Sequence, residues 1–235
     1  MKVKAFFHKL FPEHSRVPLL TVISLHFVFY CIPHFIVRNA HHYDLSLPVD
    51  VKIPFLSFFI LFYAGAYLQW GATYVFHFAK SREACVRLAA ADIISKFIAA
   101  FFFVLLPTTM VQPALGKGFF DFCVGIIYFF DEPVNLFPSL HCVASWLCFR
   151  SAFAMRRELS RAYVWGQFAF SLLVFASTVF IKQHVFIDII GGFILAEGVW
   201  LLTSRLPAEA AFSSLEAFLR RKNDQEILNE QNRTE

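Results

Sequence analysis

The sequence predicts an all-α protein: a polytopic membrane helical bundle of about six transmembrane helices with both termini on the cytoplasmic side. Three observations predict it. Apolar residues make up 58% of the chain, above the roughly 45–50% typical of soluble domains. Charged residues are only 16%, gathered in short patches between long apolar runs, whereas a soluble bundle needs them along the outer face of every helix. Lysine and arginine, finally, are distributed very unevenly between alternate inter-run segments. The 32 phenylalanines suit contact with lipid better than a water-facing surface.

A helix needs about 20 apolar residues to cross roughly 30 Å of hydrocarbon. In chain order the qualifying stretches are 17–37, 54–79, 88–107, 138–155, 162–181 and 184–205. The first follows a basic head, residues 1–16, and reads as an anchoring span rather than a removable leader. Pro54, Pro107 and Pro138 sit at predicted span edges, where a missing N–H costs least. The fourth stretch is the most polar of the set. The membrane domain ends near residue 206, and the tail 207–235 is a separate cytoplasmic segment. Its Leu215, Phe218 and Leu219 with Arg220 and Arg221 predict a short amphipathic helix at the inner interface, and the polar end from Asn223 to Glu235 predicts fraying. Cys31, Cys85, Cys123, Cys142 and Cys148 have neither metal-ligand spacing nor an even framework, and read as apolar filler.

With the N-terminus inside, all but five of the 21 Lys and Arg residues fall on the cytoplasmic side. Arg38, Lys52, Lys117 and Lys182 fall outside, and Lys96 lies within a span. The net charge of +4 therefore reflects topology and contact with anionic lipid, and no nucleic-acid partner is expected.

This topology brings three polar motifs to the outer face. Asn135 to His141 (Asn-Leu-Phe-Pro-Ser-Leu-His) opens the fourth span, Lys182-Gln183-His184 opens the sixth, and Pro107 to Pro113 leaves the third. His184 and Asp188 are one helical turn apart and share a face, so the carboxylate can accept the Nδ1 proton and leave Nε2 free as a nucleophile. Ser139 and His141 occupy the first turn of the fourth span, where unpaired backbone N–H groups attract anions. Ser139 adds a hydroxyl, and His141 can protonate a departing oxygen. Each piece has an ordinary structural explanation, a helix cap or a satisfied interfacial histidine. Their arrival on one membrane face points instead to phosphoryl transfer through a phosphohistidine. The residue set calls for no metal and no cofactor; His41 and His42, near Asp44, read as loop residues.

Pro138-Ser139-Leu140-His141, followed by His184-x-x-x-Asp188-x-x-Gly191, resembles the second and third signatures of the type 2 phosphatidic acid phosphatase superfamily, six-span lipid phosphatases and related phosphotransferases. The resemblance covers roughly residues 88–200, and Lys182-Gln183-His184 is similar to a bacterial subgroup with a Lys-Gln-His third motif. It implies His184 as nucleophile, Asp188 as its orienting partner, His141 as general acid and then base, and Ser139 as a phosphate ligand. It also implies a bacterial plasma-membrane protein with an extracytoplasmic site. The chain departs from the pattern at three cations. Leu105 and Gln112-Pro113 stand where the first signature has Lys and Arg-Pro, and Thr178 stands where the third has Arg. Lys182 is the expected substitute, with Lys117 more distant and Gln112 at the place of the missing arginine.

The expected substrate is a lipid phosphate or diphosphate, met at the outer leaflet with its chain in the bilayer. Replacing water by an alcohol acceptor gives a lipid head-group phosphotransferase. The missing cations leave a third reading, a non-catalytic scaffold or lipid-binding relative. Asp92, Lys96 and Glu197 lie inside spans, where charge is costly, and a Lys96–Asp92 or Lys96–Glu197 pair locking spans together is the expected arrangement.

Overall fold

Long apolar runs closed by serine caps and turn residues fold into helices, and a computed structural model describes this for residues 10–234. Lys2, Lys4 and Lys9 of the basic head, and the side chain of Arg233, lie outside the described residues. The order is α1 (Glu13–Val37), β1 (Tyr43–Asp44), the short α2 (Pro48–Lys52), a 3-10 turn (Ser57–Phe59), α3 (Ile60–Lys80), α4 (Arg82–Leu105), β2 (Thr108–Thr109), α5 (Phe119–Phe130), α6 (Leu140–Ala154), α7 (Arg161–Phe180), α8 (Phe186–Thr203) and α9 (Ala208–Thr234). Ser81, Ser139 and Ser160 cap α4, α6 and α7, each accepting the N–H three residues on, at 3.3, 3.4 and 3.2 Å.

Among the described residues, four helices are long and apolar enough to cross a membrane: α1, α4, α7 and α8. α3 and α6 also lie where spans were expected, but they differ in kind. α6 packs against α3, α4, α7 and α8 at the centre of the bundle. Its 15 residues reach about 22 Å at the α-helical rise, short of the full hydrocarbon depth. α3 has the length but turns polar groups inward: Gln69 donates to the Gln167 side chain at 2.8 Å, and the His77 ring meets Ser151 Oγ at 2.7 Å. These polar residues face helices rather than lipid, and their hydrogen bonds are made to neighbouring helices.

The third span's helix, α4, begins at Arg82, six residues before its expected start at 88, and three further features differ from the sequence expectation. The second span starts at Ile60 rather than at Pro54, because residues 57–59 form the 3-10 turn and Leu56 N donates to Phe180 O at 2.9 Å. Phe119–Phe130, expected within an outer loop, is the apolar helix α5; at 12 residues it is too short to span. The tail forms one helix from Ala208 to Thr234, longer than the short segment expected around Leu215–Arg221, and Arg82 anchors its first half through Glu209 and, at 3.0 Å, Glu216. All five cysteines are free, and Cys85, Cys142 and Cys148 are buried.

The two ends of the bundle are distinct. At one, β1 pairs in parallel with β2, and Ser139 N donates to Asp188 O at 3.1 Å, tying the start of α6 to α8. The other end holds the α9 anchor and a Lys80–Glu158 contact of 4.0 Å. The connections 38–59, 106–139 and 181–185 therefore share one end, as the topology read from the sequence requires.

The intramembrane charges pair within the bundle. Lys96 Nζ lies 2.6 Å from Asp92 Oδ2, with the Asp92 side chain 2% exposed. Glu197 takes other partners, Trp146 Nε1 at 2.5 Å and Arg150 Nε at 3.3 Å. Lys96→Met is expected to cost roughly 3–5 kcal/mol by stranding a buried carboxylate, read as a lower melting temperature in detergent. The double variant Lys96→Met/Asp92→Leu should recover most of that loss; equal melting of parent and single variant would contradict the pairing.

Candidate active site

The chain brings its two histidines together through the starts of α6 and α8. Gly192 makes this possible. A Cβ there would lie 2.7 Å from the Ser139 carbonyl oxygen and 2.9 Å from Cys142 Cβ, and one at Gly191 would strike the Phe137 ring. Only residues without side chains let the two helix starts approach this closely. Gly192→Ala is expected to destabilise the fold by about 1–3 kcal/mol and to lower turnover as the helix starts separate. Parent-like melting and turnover would show that the contact is dispensable.

His184, 8% exposed, sits in the turn just before α8, closed onto α7 by Gln183 N and His184 N donating to Thr178 O at 2.9 and 3.1 Å. Its Nδ1 is 3.2 Å from Asp188 Oδ2, which also accepts from Val185 N at 3.0 Å. Asp188 is fully buried, and its Oδ1 has no hydrogen-bond partner among the described residues. A proton on Nδ1 donated to this carboxylate fixes the ring and leaves Nε2 with its lone pair.

His141, on the first turn of α6, faces His184 with ring centroids 6.1 Å apart and planes at 60°. Aromatic rings from α3 surround it: Tyr63 stacks at 4.1 Å and 24°, Trp70 lies at 5.2 Å and Tyr67 at 5.7 Å. Both histidines line one cavity of about 720 Å³, within the usual range for ligand sites. The cavity extends down α1 and α3 past Leu19, Val22, Phe27 and Tyr74, a mostly apolar lining that also includes His26 and the Asp92–Lys96 pair.

The other residues singled out in the sequence lie elsewhere. Ser139 is fully buried, and its oxygen caps α6 beside the cavity. Lys182 does not turn to the histidines. Its backbone takes a positive φ of 53°, and its ammonium donates to the carbonyls of Asp50 at 3.0 Å and Ile53 at 2.7 Å, the last turn of α2. A cation there satisfies two carbonyls at the end of α2, where the helix dipole is negative. Burial lowers the Lys182 pKa from its ordinary value, and the Asp50 carboxylate opposes that. Gln112 is not among the cavity-lining residues, and its Nε2 is buried without a partner. Lys117 lines a separate surface depression beside α5.

Three residues take places at or beside the site that the sequence did not assign to them. Asp50 places its carboxylate at the start of α8, accepting from Phe186 N at 2.7 Å and Leu47 N at 2.8 Å, so that helix end is already occupied by an anion. Lys96 is the one lysine or arginine among the cavity-lining residues. Asn135, with φ 56°, a conformation asparagine tolerates, also lines the cavity, and its Oδ1 is buried without a partner. Among the described residues no group of three or more His, Cys, Asp or Glu converges as a metal site.

Residues 128–202, from the end of α5 through α8, match a family model described as the PAP2 superfamily. The match supports that superfamily for the part of the chain holding both histidines and Asp188, and with it an enzyme of phosphatase or phosphotransferase type. Searches of curated proteins and of solved structures return no match.

Proposed function

We propose that this integral membrane protein is a phosphatase for lipid phosphates or diphosphates that works through a phosphohistidine on His184. One observation carries the reading: His141 faces His184 across a shared cavity, and Asp188 backs His184 at 3.2 Å. In the first step His184 Nε2 attacks phosphorus; the N–P bond forms as the P–O bond to the lipid breaks, and His141 gives its proton to the departing oxygen. In the second, water attacks the phosphohistidine and returns a proton to His141, and inorganic phosphate leaves.

Lys96, rather than Lys182, supplies the positive charge of the cavity. Its ion pair with Asp92 leaves less free charge than the three cations implied by the resemblance, and the unpaired N–H groups at the start of α6 add to it. The distribution of Lys and Arg supports a site at the outer leaflet, and the Lys-Gln-His resemblance supports a bacterial plasma membrane. Leu19, Val22, Ile23 and Phe27 of α1 give the cavity an apolar wall that suits the lipid chain.

The test is purified protein in detergent with a monoester lipid phosphate and a prenyl diphosphate, each with and without a lipid alcohol. Release of inorganic phosphate is expected. Phosphorylation of the alcohol without that release would make the protein a phosphotransferase, and neither product would make it a non-catalytic lipid-binding relative.

A further inference from the structure

His141 must hold one orientation to protonate a leaving group, yet among the described residues its buried Nε2 has no hydrogen-bond partner. The ring is therefore oriented by its neighbours' faces. The closest, Tyr63, is fully buried and lies nearly parallel to it at 4.1 Å. Tyr63 is itself fixed at its far end: its hydroxyl donates to Asp131 Oδ2 at 3.1 Å. Asp131 caps the C-terminal end of α5, where its N–H donates to Ile127 O at 2.8 Å. Its other carboxylate oxygen accepts from the Tyr30 hydroxyl of α1 at 2.6 Å, and its carbonyl accepts from Gln183 Nε2 at 3.3 Å, next in sequence to His184. One carboxylate thus joins α1, α3 and α5 directly above the stack.

We propose that Asp131 and Tyr63 are positioning residues for the general acid: Asp131 locks the Tyr63 ring, and the ring holds His141 at the angle from which its N–H reaches the departing oxygen. This rests on the proposed phosphatase reading. The electronics agree with the geometry. A phenol donating to a carboxylate has an electron-rich face, and such a face stabilises a protonated imidazole stacked on it. When the P–O bond breaks and the N–P bond to His184 forms, the His141 proton moves to the lipid oxygen, and Tyr63 and Asp131 keep their own protonation unchanged. The arrangement also gives α5 a task, since this short helix carries Asp131 to the site.

The test compares two substrates with the same long chain, an alkyl phosphate, whose alkoxide must be protonated to leave, and a nitroaryl phosphate, whose phenolate leaves without a proton. Rates are read as the first-turnover burst of leaving-group release, before the phosphohistidine hydrolysis that both esters share. There His141→Ala sets the signature of a lost acid: a large defect on the alkyl ester and a small one on the nitroaryl ester. Tyr63→Phe, which keeps the stack and loses the bond to Asp131, and Asp131→Asn are expected to slow the alkyl ester by about tenfold or more, and the nitroaryl ester by less than about threefold. A structural role alone would slow both esters alike, and that result, or no slowing of either, would overturn the inference. If the parent turns over neither ester, the phosphatase reading itself fails. If the parent is active and His141→Ala gives the signature while Tyr63→Phe and Asp131→Asn do not, only the positioning role fails.

Discussion

His184→Ala is expected to abolish phosphate release from any lipid phosphate the parent hydrolyses. The proposed nucleophile must present a free lone pair to the cavity, and His184 can, because Asp188 engages Nδ1 and no hydrogen bond to Nε2 is formed among the described residues. Its neighbours cannot take over. Ser139 and Cys142 are fully buried, and the Ser139 oxygen is committed to its helix cap. The cavity-facing Lys96 is held by Asp92. Replacing the imidazole by a methyl group also leaves the two helix starts in place, since Gly192 and the Ser139 N–H to Asp188 O bond do not involve the His184 side chain. Loss of turnover with parent-like melting is therefore the expected pair of results, measured as inorganic phosphate release and thermal unfolding on the same preparation. Near-parent turnover would refute a histidine nucleophile at this position.

Asp188→Asn is expected to lower kcat by roughly three to four orders of magnitude, the scale at which a triad carboxylate acts when replaced by its amide. The reasoning is geometric. Asp188 Oδ2 accepts from both His184 Nδ1 and Val185 N, and an amide can place only its oxygen or its nitrogen there. If the oxygen stays, the imidazole loses the negative charge that stabilises it as the N–P bond forms. If the nitrogen takes the place, it confronts the Val185 N–H and drives the His184 proton to Nε2, which blocks attack. In both arrangements the fold keeps a side chain of the same shape. KM should change little, because the carboxylate lies behind the ring and lines none of the cavity. A variant whose defect is confined to KM would show that Asp188 serves binding rather than the nucleophile.

The all-α helical bundle was legible because apolar runs set it. Helices lie at all six expected spans, four of them long and apolar enough to cross a membrane, and their bounds agree within a few residues except at the starts of α3 and α4. The His184–Asp188 pair was legible as well, since spacing by one helical turn guarantees a shared face. The approach of His141 to His184 followed from topology, as both open helices that start at the same end. The remaining features depend on which way side chains turn. Lys182 sits two residues before His184, but its left-handed backbone sends the ammonium to Asp50 and Ile53, and sequence distance gave no hint of that. Lys96 was visible as an intramembrane charge with Asp92 as a partner, but whether that face met lipid, helix or cavity depends on how α4 is rotated. α5 looked like loop because its apolar stretch is too short to span, and Asp131 and Tyr63 meet only in the folded chain.

The covalent intermediate offers the most direct measurement. Purified protein is mixed with a lipid phosphate labelled on phosphorus, quenched within the turnover time, and examined for labelled protein. A phosphoramidate on histidine is expected, stable in alkali and lost in acid, mapping to His184 and absent from His184→Ala. Phosphate release at the parent rate with no labelled protein at any quench time, or a label that survives acid and maps to another residue, would contradict the phosphohistidine mechanism.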